Sequence, residues 1–286
     1  MPTENHVLVF SCHDQPGIVA HVANHVFLSG GNVVESSQYH DVETDSFFMR
    51  LAFAFPVAGD FPALQAGFDA LAERYGWTWT LRPANARQRV LILVSKFDHC
   101  LVDLLYRHRI GELDMDIVGI VSNHPATMFE ALDLRDIPFH HLPVTAATKA
   151  AQEAQILALH TALQVDLVVL ARYMQILSDD LATRFSGRCI NIHHSFLPGF
   201  KGAKPYHQAH ARGVKVIGAT AHYVTGDLDE GPIIEQDVER ISHADTAEDL
   251  VRKGRDIERR VMSRAVALHL SGRVLANGAR TVVFRD

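Results

Sequence analysis

Short apolar runs alternate with segments of helical periodicity from residue 90 onward. Nearly every position in these runs is apolar, and β-branched residues are frequent in them. Strands of this kind are buried on both faces, as in a parallel sheet whose crossover helices cover both sides. The pattern predicts strands at 90–94, 117–121, 139–144, 167–170 and 189–192, a clear helix at 149–163, two further strands at 216–224 and 233–238, and a long helix at 247–270.

The first 85 residues follow a different plan. Runs typical of strands and helices alternate there in the order β-α-β-β-α-β. This order predicts a ferredoxin-like α+β domain. A polar stretch at 82–89 then separates the two patterns. The sequence therefore predicts two domains, 1–85 and 86–286, the second an α/β domain with a mostly parallel sheet.

Composition limits the classes of function. The 286 residues carry a net charge of −6, and residues 1–85 hold only three basic residues against nine acidic ones. The remainder is balanced in charge, so neither part has the basic excess of a nucleic-acid-binding protein. No apolar run reaches the length of about 20 residues that a membrane span needs, and the first residues lack the pattern of a signal peptide. Cys12, Cys100 and Cys189 are widely spaced, which favours a reduced, cytoplasmic protein.

Polar side chains follow the strand predicted at 189–192. Alternation along this strand places Asn191 and His193 on the same side. A loop at 227–232 adds the carboxylate of Asp229, and Gly and Pro stiffen this loop. An amide, an imidazole and a carboxylate can together polarise a carbonyl, stabilise an oxyanion and transfer protons. Spacing alone leaves open whether the three groups meet.

Four runs of residues carry a resemblance to known enzymes. The runs at 191–198 and 228–232 resemble those of the folate-dependent formyltransferase fold. With the longer runs at 202–209 and 218–224, the sequence is most similar to the formyltetrahydrofolate deformylase family, which also has a small domain in front. The resemblance implies a doubly wound, Rossmann-like catalytic domain in which Asn191, His193 and Asp229 are catalytic. It also implies hydrolysis of 10-formyltetrahydrofolate to tetrahydrofolate and to formate that supplies purine synthesis, without a cofactor.

The same resemblance implies a folate pocket. In this family the pterin binds along the segment that here spans 170–178, with a second wall just before the carboxylate loop. The residues that would line it are Tyr173, Met174, Ile176, Leu177, Val224 and Thr225. Read without the resemblance, the segment is a strand end followed by a helix that Ser178 caps.

The N-terminal domain resembles an ACT domain, a small module that senses amino acids. The resemblance rests on the run at 14–18, which opens the first helix, and on Gly31-Asn32, which opens the second strand. It implies an amino-acid effector at Asp14, Gly17, Ile18 and Asn32, and a homo-oligomer formed through the sheet edges. The alternative is that the run at 14–18 is only a turn that starts a helix.

The loop after the first strand of the second domain bears on the choice between water and an amine as acceptor. Residues 95–100 contain no glycine, and Asp98 would repel a phosphate, so a phosphate-binding nest is not expected there. Water is therefore the expected acceptor. Two alternatives remain: a formyltransferase with an amine acceptor, and an amino-acid sensor whose second domain binds folate without turning it over.

The chain contains 18 histidines, a residue type that often binds metal ions. The pairs at 140–141 and 193–194 and the spacing at 207–210 lack the ligand patterns of known zinc sites. We therefore expect no catalytic metal. The long helix at 247–270 is expected to be a solvated packing element rather than part of a binding site.

Overall fold

A computed structural model describes residues 2–199 and 205–285 of the chain. By its internal contacts the chain divides into two compact units. One comprises the chain up to Ala86 together with Ser271–Asn277 and the residues from Val282, and the other comprises Arg87–Leu270 with Gly278–Thr281.

The first unit is a four-stranded antiparallel sheet with two helices, in strand order β2-β3-β1-β4. Its elements follow one another in the predicted order. Fully buried Phe53 and Phe68 lie in the core between the sheet and the helices. The elements are β1 (Thr3–His13), α1 (Ile18–Leu28), β2 (Asn32–Asp41), β3 (Ser46–Pro56), α2 (Phe61–Tyr75) and β4 (Thr78–Pro83).

Local signals explain both ends of α2. The side chain of Asp60 accepts a hydrogen bond from the amide of Ala63, which caps the first turn. Gly76 ends the helix at a φ of 67°, a left-handed conformation in which glycine carries no steric penalty.

Part of the C-terminal segment packs with the first unit, although the sequence analysis assigned residues 86–286 to the second domain. The guanidinium of Arg273 lies 2.9 Å from the carboxylate of Glu35. Arg50 Nε donates a hydrogen bond to the Ser271 carbonyl at 3.0 Å. These long-range polar contacts could not be read from local patterns. The segment contains β12 (Val274–Asn277) and β13 (Arg280–Val283).

The second unit is built on a seven-stranded sheet in the order β11-β10-β9-β8-β5-β6-β7. The five strands from β9 to β7 are parallel, whereas β10 and β11 run antiparallel to their neighbours. The predicted mostly parallel α/β sheet is therefore confirmed. Its strands are β5 (Gln88–Val94), β6 (Met115–Ser122), β7 (Phe139–His141), β8 (Leu167–Leu170), β9 (Cys189–His193), β10 (Val216–Tyr223) and β11 (Ile233–Arg240).

Five α-helices belong to this unit within the described residues. They are α3 (His99–Arg109), α4 (Lys149–Ala162), α5 (Asp179–Arg184), α6 (Pro205–Arg212) and α7 (Ala247–Leu270), and a short 3-10 helix covers Ala126–Phe129. All five apolar residues at 90–94 are completely buried, as expected of a strand covered on both faces. The three cysteines are buried and free. Within residues 2–199 and 205–285, no helix is both long and apolar enough to span a bilayer.

The sheet order determines where functional groups can meet. The parallel strands β5, β8 and β9 are neighbours, so their carboxyl ends lie at one edge of the sheet. Ligands of such sheets bind outside that edge. Because β10 runs antiparallel to β9, it places His222 opposite Asn191 and Thr220 opposite His193.

Candidate active site

The pair formed by His193 and Asp229 is the centre of the site. His193 is the last residue of β9, and its Nδ1 lies 3.2 Å from Asp229 Oδ1. Both side chains are nearly buried, at 6% and 11% exposure. The other ring nitrogen of His193, Nε2, is also buried and has no hydrogen-bond partner among the described residues. One nitrogen of His193 is thus held by the carboxylate while the other remains available to a ligand.

Asn191 is oriented by a histidine to which the sequence analysis gave no role. The side-chain amide of Asn191 lies 3.2 Å from His222 Nε2, and His222 Nδ1 lies 2.9 Å from the Tyr223 carbonyl. Since the carbonyl requires a proton on Nδ1, a neutral His222 uses Nε2 to accept from the Asn191 amide. The orientation of this amide is therefore determined, and its second N–H is left for another acceptor.

Sequence alternation contained a signal for His222. The run at 218–224 contributes to the resemblance to the deformylase family, but it also has a polar alternation of its own. Thr220 and His222 are two positions apart on β10, as Asn191 and His193 are on β9, so both pairs point to the same side of the sheet. Thr220 supports the segment that follows β9: its hydroxyl accepts from the Leu197 amide at 3.0 Å and donates to the Ser195 carbonyl at 2.9 Å. Cross-strand pairing could not be derived without knowing that β9 and β10 are adjacent.

Burial and neighbouring charges set the protonation states around this pair. Burial on its own would raise the pKa of Asp229, but the hydrogen bond from His193 and the nearby imidazoles outweigh it and hold the pKa below its usual value. Burial lowers the pKa of His222, and together with the charge of Arg172 it lowers the pKa of His194 to about 4. At neutral pH, Asp229 is therefore an anion beside two neutral histidines.

The loop that carries Asp229 runs close to β10. Asp229 has a φ of 59°, a left-handed conformation that is costly for a residue other than glycine. A methyl group added at Gly231 would lie 1.7 Å from the Tyr223 carbonyl oxygen, so only glycine fits there. The Tyr223 amide donates to the Pro232 carbonyl at 2.9 Å. Backbone contacts thus hold the carboxylate in place.

A cavity of about 700 Å³ opens at this edge of the sheet. Its wall contains all nine residues that the sequence analysis assigned to the catalytic domain, including Asn191, His193 and Asp229. Of the six expected folate-binding residues, Tyr173 and Leu177 are buried and also pack in the core, and Val224 packs against them. Met174 and Ile176 are half exposed. The two interpretations of 170–178 are compatible, because Ser178 does cap α5 while the segment before it lines the cavity.

A second group of lining residues is charged, and the sequence analysis did not find it. Glu258, on α7, is almost completely buried, and its carboxylate contacts Arg172, His99 and Tyr206. The expectation that this helix takes no part in a site is therefore wrong, because it contributes Val251, Arg255 and Glu258 to the wall. A carboxylate on a helix rich in charged residues looks like a surface residue until its buried partners on other elements are known.

The loop after β5 contributes to the same charged group. Phe97 and His99 line the cavity, and Asp98 precedes the first residue of α3. The residues of the run at 202–209 that would precede α6, namely Gly202, Ala203 and Lys204, lie outside the described residues.

The expected effector residues in the first unit have different surroundings. Gly17 has a φ of 93° at the start of α1, and His21 Nδ1 lies 2.8 Å from its carbonyl oxygen. Ile18 is buried in the core, so its side chain faces the sheet rather than a ligand. Asp14 lies 3.8 Å from His40 Nε2, and Asn32 is an exposed residue at the start of β2.

Possible metal ligands cluster at two places within the described residues. One group is His99, Cys100 and Glu258, and the other is Asp14, His40 and Asp45. Neither group includes Asn191, His193 or Asp229. Glu258 and His99 already satisfy one another, at 2.8 Å.

Comparison with known proteins identifies the class to which this fold and site belong. Residues 88–266 match the sequence model of the family described as formyl transferase. The crystal structure of glycinamide ribonucleotide transformylase 1 from Symbiobacterium toebii superposes with a TM-score of 0.65 at 33% identity, covering 70% of this chain and 95% of that one.

The similarity to one group within this class extends over the whole chain. Formyltetrahydrofolate deformylase from Synechocystis sp. is 50% identical over 97% of both chains. The crystal structure of formyltetrahydrofolate deformylase from Burkholderia mallei superposes with a TM-score of 0.93 at 51% identity, covering 99% of this chain and all of that one. The chain therefore belongs to the formyltetrahydrofolate deformylase family.

Proposed function

We propose that this chain hydrolyses 10-formyltetrahydrofolate to formate and tetrahydrofolate, and that Asn191, His193 and Asp229 carry out the reaction. The observation that carries the proposal is the paired imidazole of His193, whose Nδ1 is held by Asp229 while Nε2 has no partner in the described part of the chain. This arrangement, in a cavity large enough for a folate, is what stabilisation of an oxyanion requires.

The reaction begins when a water oxygen adds to the formyl carbon. The carbonyl oxygen then becomes an oxyanion, which accepts hydrogen bonds from the free N–H of Asn191 and from protonated Nε2 of His193. Asp229 stabilises the positive charge on His193 and holds the ring in place, a role that suits a carboxylate with a low pKa. Asp229 helps to move a proton from the attacking water to N10 as the C–N10 bond breaks. Formic acid and tetrahydrofolate leave, and the acid ionises to formate.

The apolar side of the cavity is suited to the pterin. Tyr173, Met174, Ile176 and Leu177 provide faces for a flat heterocycle, and Val224 and Thr225 line the same cavity. The Tyr173 hydroxyl is bonded to Gln152 at 2.5 Å, which fixes its ring. We expect these six residues to determine folate affinity and to have little influence on the chemical step.

Similarity over the whole chain favours hydrolysis over transfer to an amine. The glycinamide ribonucleotide enzyme from S. toebii matches only 70% of this chain, whereas the deformylases match nearly all of it. The loop at 95–100 also lacks the glycines of a phosphate-binding nest. The formate produced would supply purine synthesis and balance the folate pool.

The first unit supports a further proposal, that it is an ACT-like domain which binds a small amino acid and pairs with another copy of the chain. The start of α1 behind Gly17 offers backbone N–H groups to a carboxylate, and Asp14 can meet an ammonium group. Pairing of sheet edges would also cover unpaired strand groups. Ile18 would then act only by holding the loop against the core.

The first prediction concerns the nucleophile. In water labelled with heavy oxygen, the purified enzyme should release formate that carries the label, with no amine present. Mass spectrometry of the formate provides the measurement. Formation of formate only after an amine such as glycinamide ribonucleotide is added would contradict hydrolysis.

The second prediction concerns the three catalytic residues. Asn191→Ala, His193→Ala and Asp229→Asn should each lower kcat by about a hundredfold or more, because each removes an oxyanion donor or its support. Folate binding, measured by titration calorimetry, should change far less. Asp180→Asn, at an exposed carboxylate on α5, is the control and should retain full activity. Near-normal turnover in Asp229→Asn would exclude the mechanism.

The third prediction is that hydrolysis needs no metal ion. Neither group of possible ligands in the described residues includes one of the three catalytic residues, so we expect removal of ions not to affect the chemistry. Exhaustive treatment with a chelator should leave kcat unchanged. Loss of activity that zinc or iron restores would show that this expectation is wrong.

The fourth prediction concerns control by the first unit. Titration calorimetry with the common amino acids, beginning with methionine and glycine, should detect binding that Asp14→Ala weakens. The ligand should also change the rate of the full-length enzyme, because an effector acts through different affinities for two states. Absence of binding by any amino acid would leave the unit a purely structural element.

A further inference from the structure

Arg172 is a buried charged residue two positions after the end of β8, within the expected folate-binding segment at 170–178. Its side chain is 8% exposed, and its Nε lies 3.2 Å from Glu258 Oε2. The carboxylate of Glu258 is 1% exposed and has two further partners, His99 at 2.8 Å and the Tyr206 hydroxyl at 2.8 Å. Three helices, α3, α6 and α7, and the loop that follows β8 therefore meet at one carboxylate.

This arrangement adds little to the stability of the fold. A buried ion pair contributes little net stability, because removing both charges from water offsets their attraction. Arg172 also has a φ of 63°, a left-handed conformation in which only glycine is free of steric cost. Arg172 lines the cavity in spite of its buried charge and its unfavourable backbone conformation. We therefore expect this side chain to have a function there.

The charged residues Arg172, Arg255 and Glu258 line the same cavity as the catalytic groups. Arg172 and Arg255 lie on the ring of Phe97, with their guanidinium carbons 5.8 and 5.6 Å from its centroid. Burial of the ring and, after it, the charge of Arg172 lower the pKa of His194, the neighbour of His193. The lining of the cavity thus combines apolar residues of the segment 173–177 with guanidinium, imidazole and phenol groups.

Size separates water from an amine acceptor in this cavity. An amine carries substituents that need volume near the formyl carbon, and the buried Arg172 side chain takes up volume in the lining of the cavity. Water is small and needs no such volume.

We propose that Arg172, held by Glu258, occupies the space of an amine acceptor and so restricts the nucleophile to water. The inference rests on the proposed hydrolysis and names the residue that determines its specificity. Without this side chain, an amine nitrogen bonds to the formyl carbon, the C–N10 bond breaks, and a proton from the amine passes to N10. The products are then a formamide and tetrahydrofolate.

The test is the partition of the formyl group between water and an added amine. Arg172→Gly removes the side chain and suits the left-handed backbone, and Arg172→Asn is a second truncation because asparagine tolerates this conformation. Each variant is incubated with 10-formyltetrahydrofolate and glycinamide, and formate and N-formylglycinamide are quantified by mass spectrometry. Both variants should raise the ratio of N-formylglycinamide to formate by about tenfold or more over the unmodified enzyme.

Two control variants separate the loss of the Arg172 side chain from general effects of substituting an arginine. Arg172→Lys retains a long cation that can meet Glu258 and should show no gain in transfer. Arg135→Gly replaces another left-handed arginine, with a φ of 48°, at an exposed position outside the cavity wall, and should behave as the unmodified enzyme.

Three results would overturn the proposal. They are formate release by both truncated variants without extra N-formylglycinamide, equal transfer by the unmodified enzyme, and failure of both variants to fold in thermal unfolding, which would make Arg172 a structural residue. Failure of the proposed function is distinguishable, because the unmodified enzyme would then release no formate when the amine is omitted.

Discussion

The contact between the Asp229 carboxylate and His193 Nδ1 is the interaction on which the site depends. It assigns the two nitrogens of His193 different tasks, since one donates to Asp229 and the other faces the cavity. It also explains why a buried carboxylate stays ionised, because the imidazole donor outweighs the cost of burial and lowers the pKa of Asp229. His222 extends this order to Asn191, so that two donors can point at one oxygen.

The placement of these groups requires unfavourable backbone conformations. Asp229 and Arg172 both adopt left-handed conformations, and Gly231 packs where no side chain fits. Strain of this kind persists only where the surrounding structure over-determines it. The lining of the cavity combines apolar residues suited to a heterocycle with the ion pair of Arg172 and Glu258. We propose that this ion pair distinguishes a hydrolase from a transferase built on the same sheet.

Patterns along the chain predicted the parts of the structure that depend on local physics. Continuous apolar runs gave the buried strands, and alternation correctly put Asn191 and His193 on one side of β9. Residues whose role depends on distant partners were missed. His222 requires the pairing of β10 with β9, and Glu258 looks like an ordinary helix carboxylate until its partners are known. The return of Arg273 to Glu35 in the first unit is a contact of the same long-range kind.

The most direct test of the central claim is a crystal structure with a 10-formyl folate analogue that the enzyme does not cleave. We predict that the formyl oxygen lies within hydrogen-bond distance, about 2.7–3.1 Å, of both the Asn191 amide nitrogen and His193 Nε2. The pterin should lie against Tyr173 and Leu177, and Arg172 should remain paired with Glu258. A formyl oxygen that faces Arg172 instead, with His193 Nε2 left without a partner, would contradict the account.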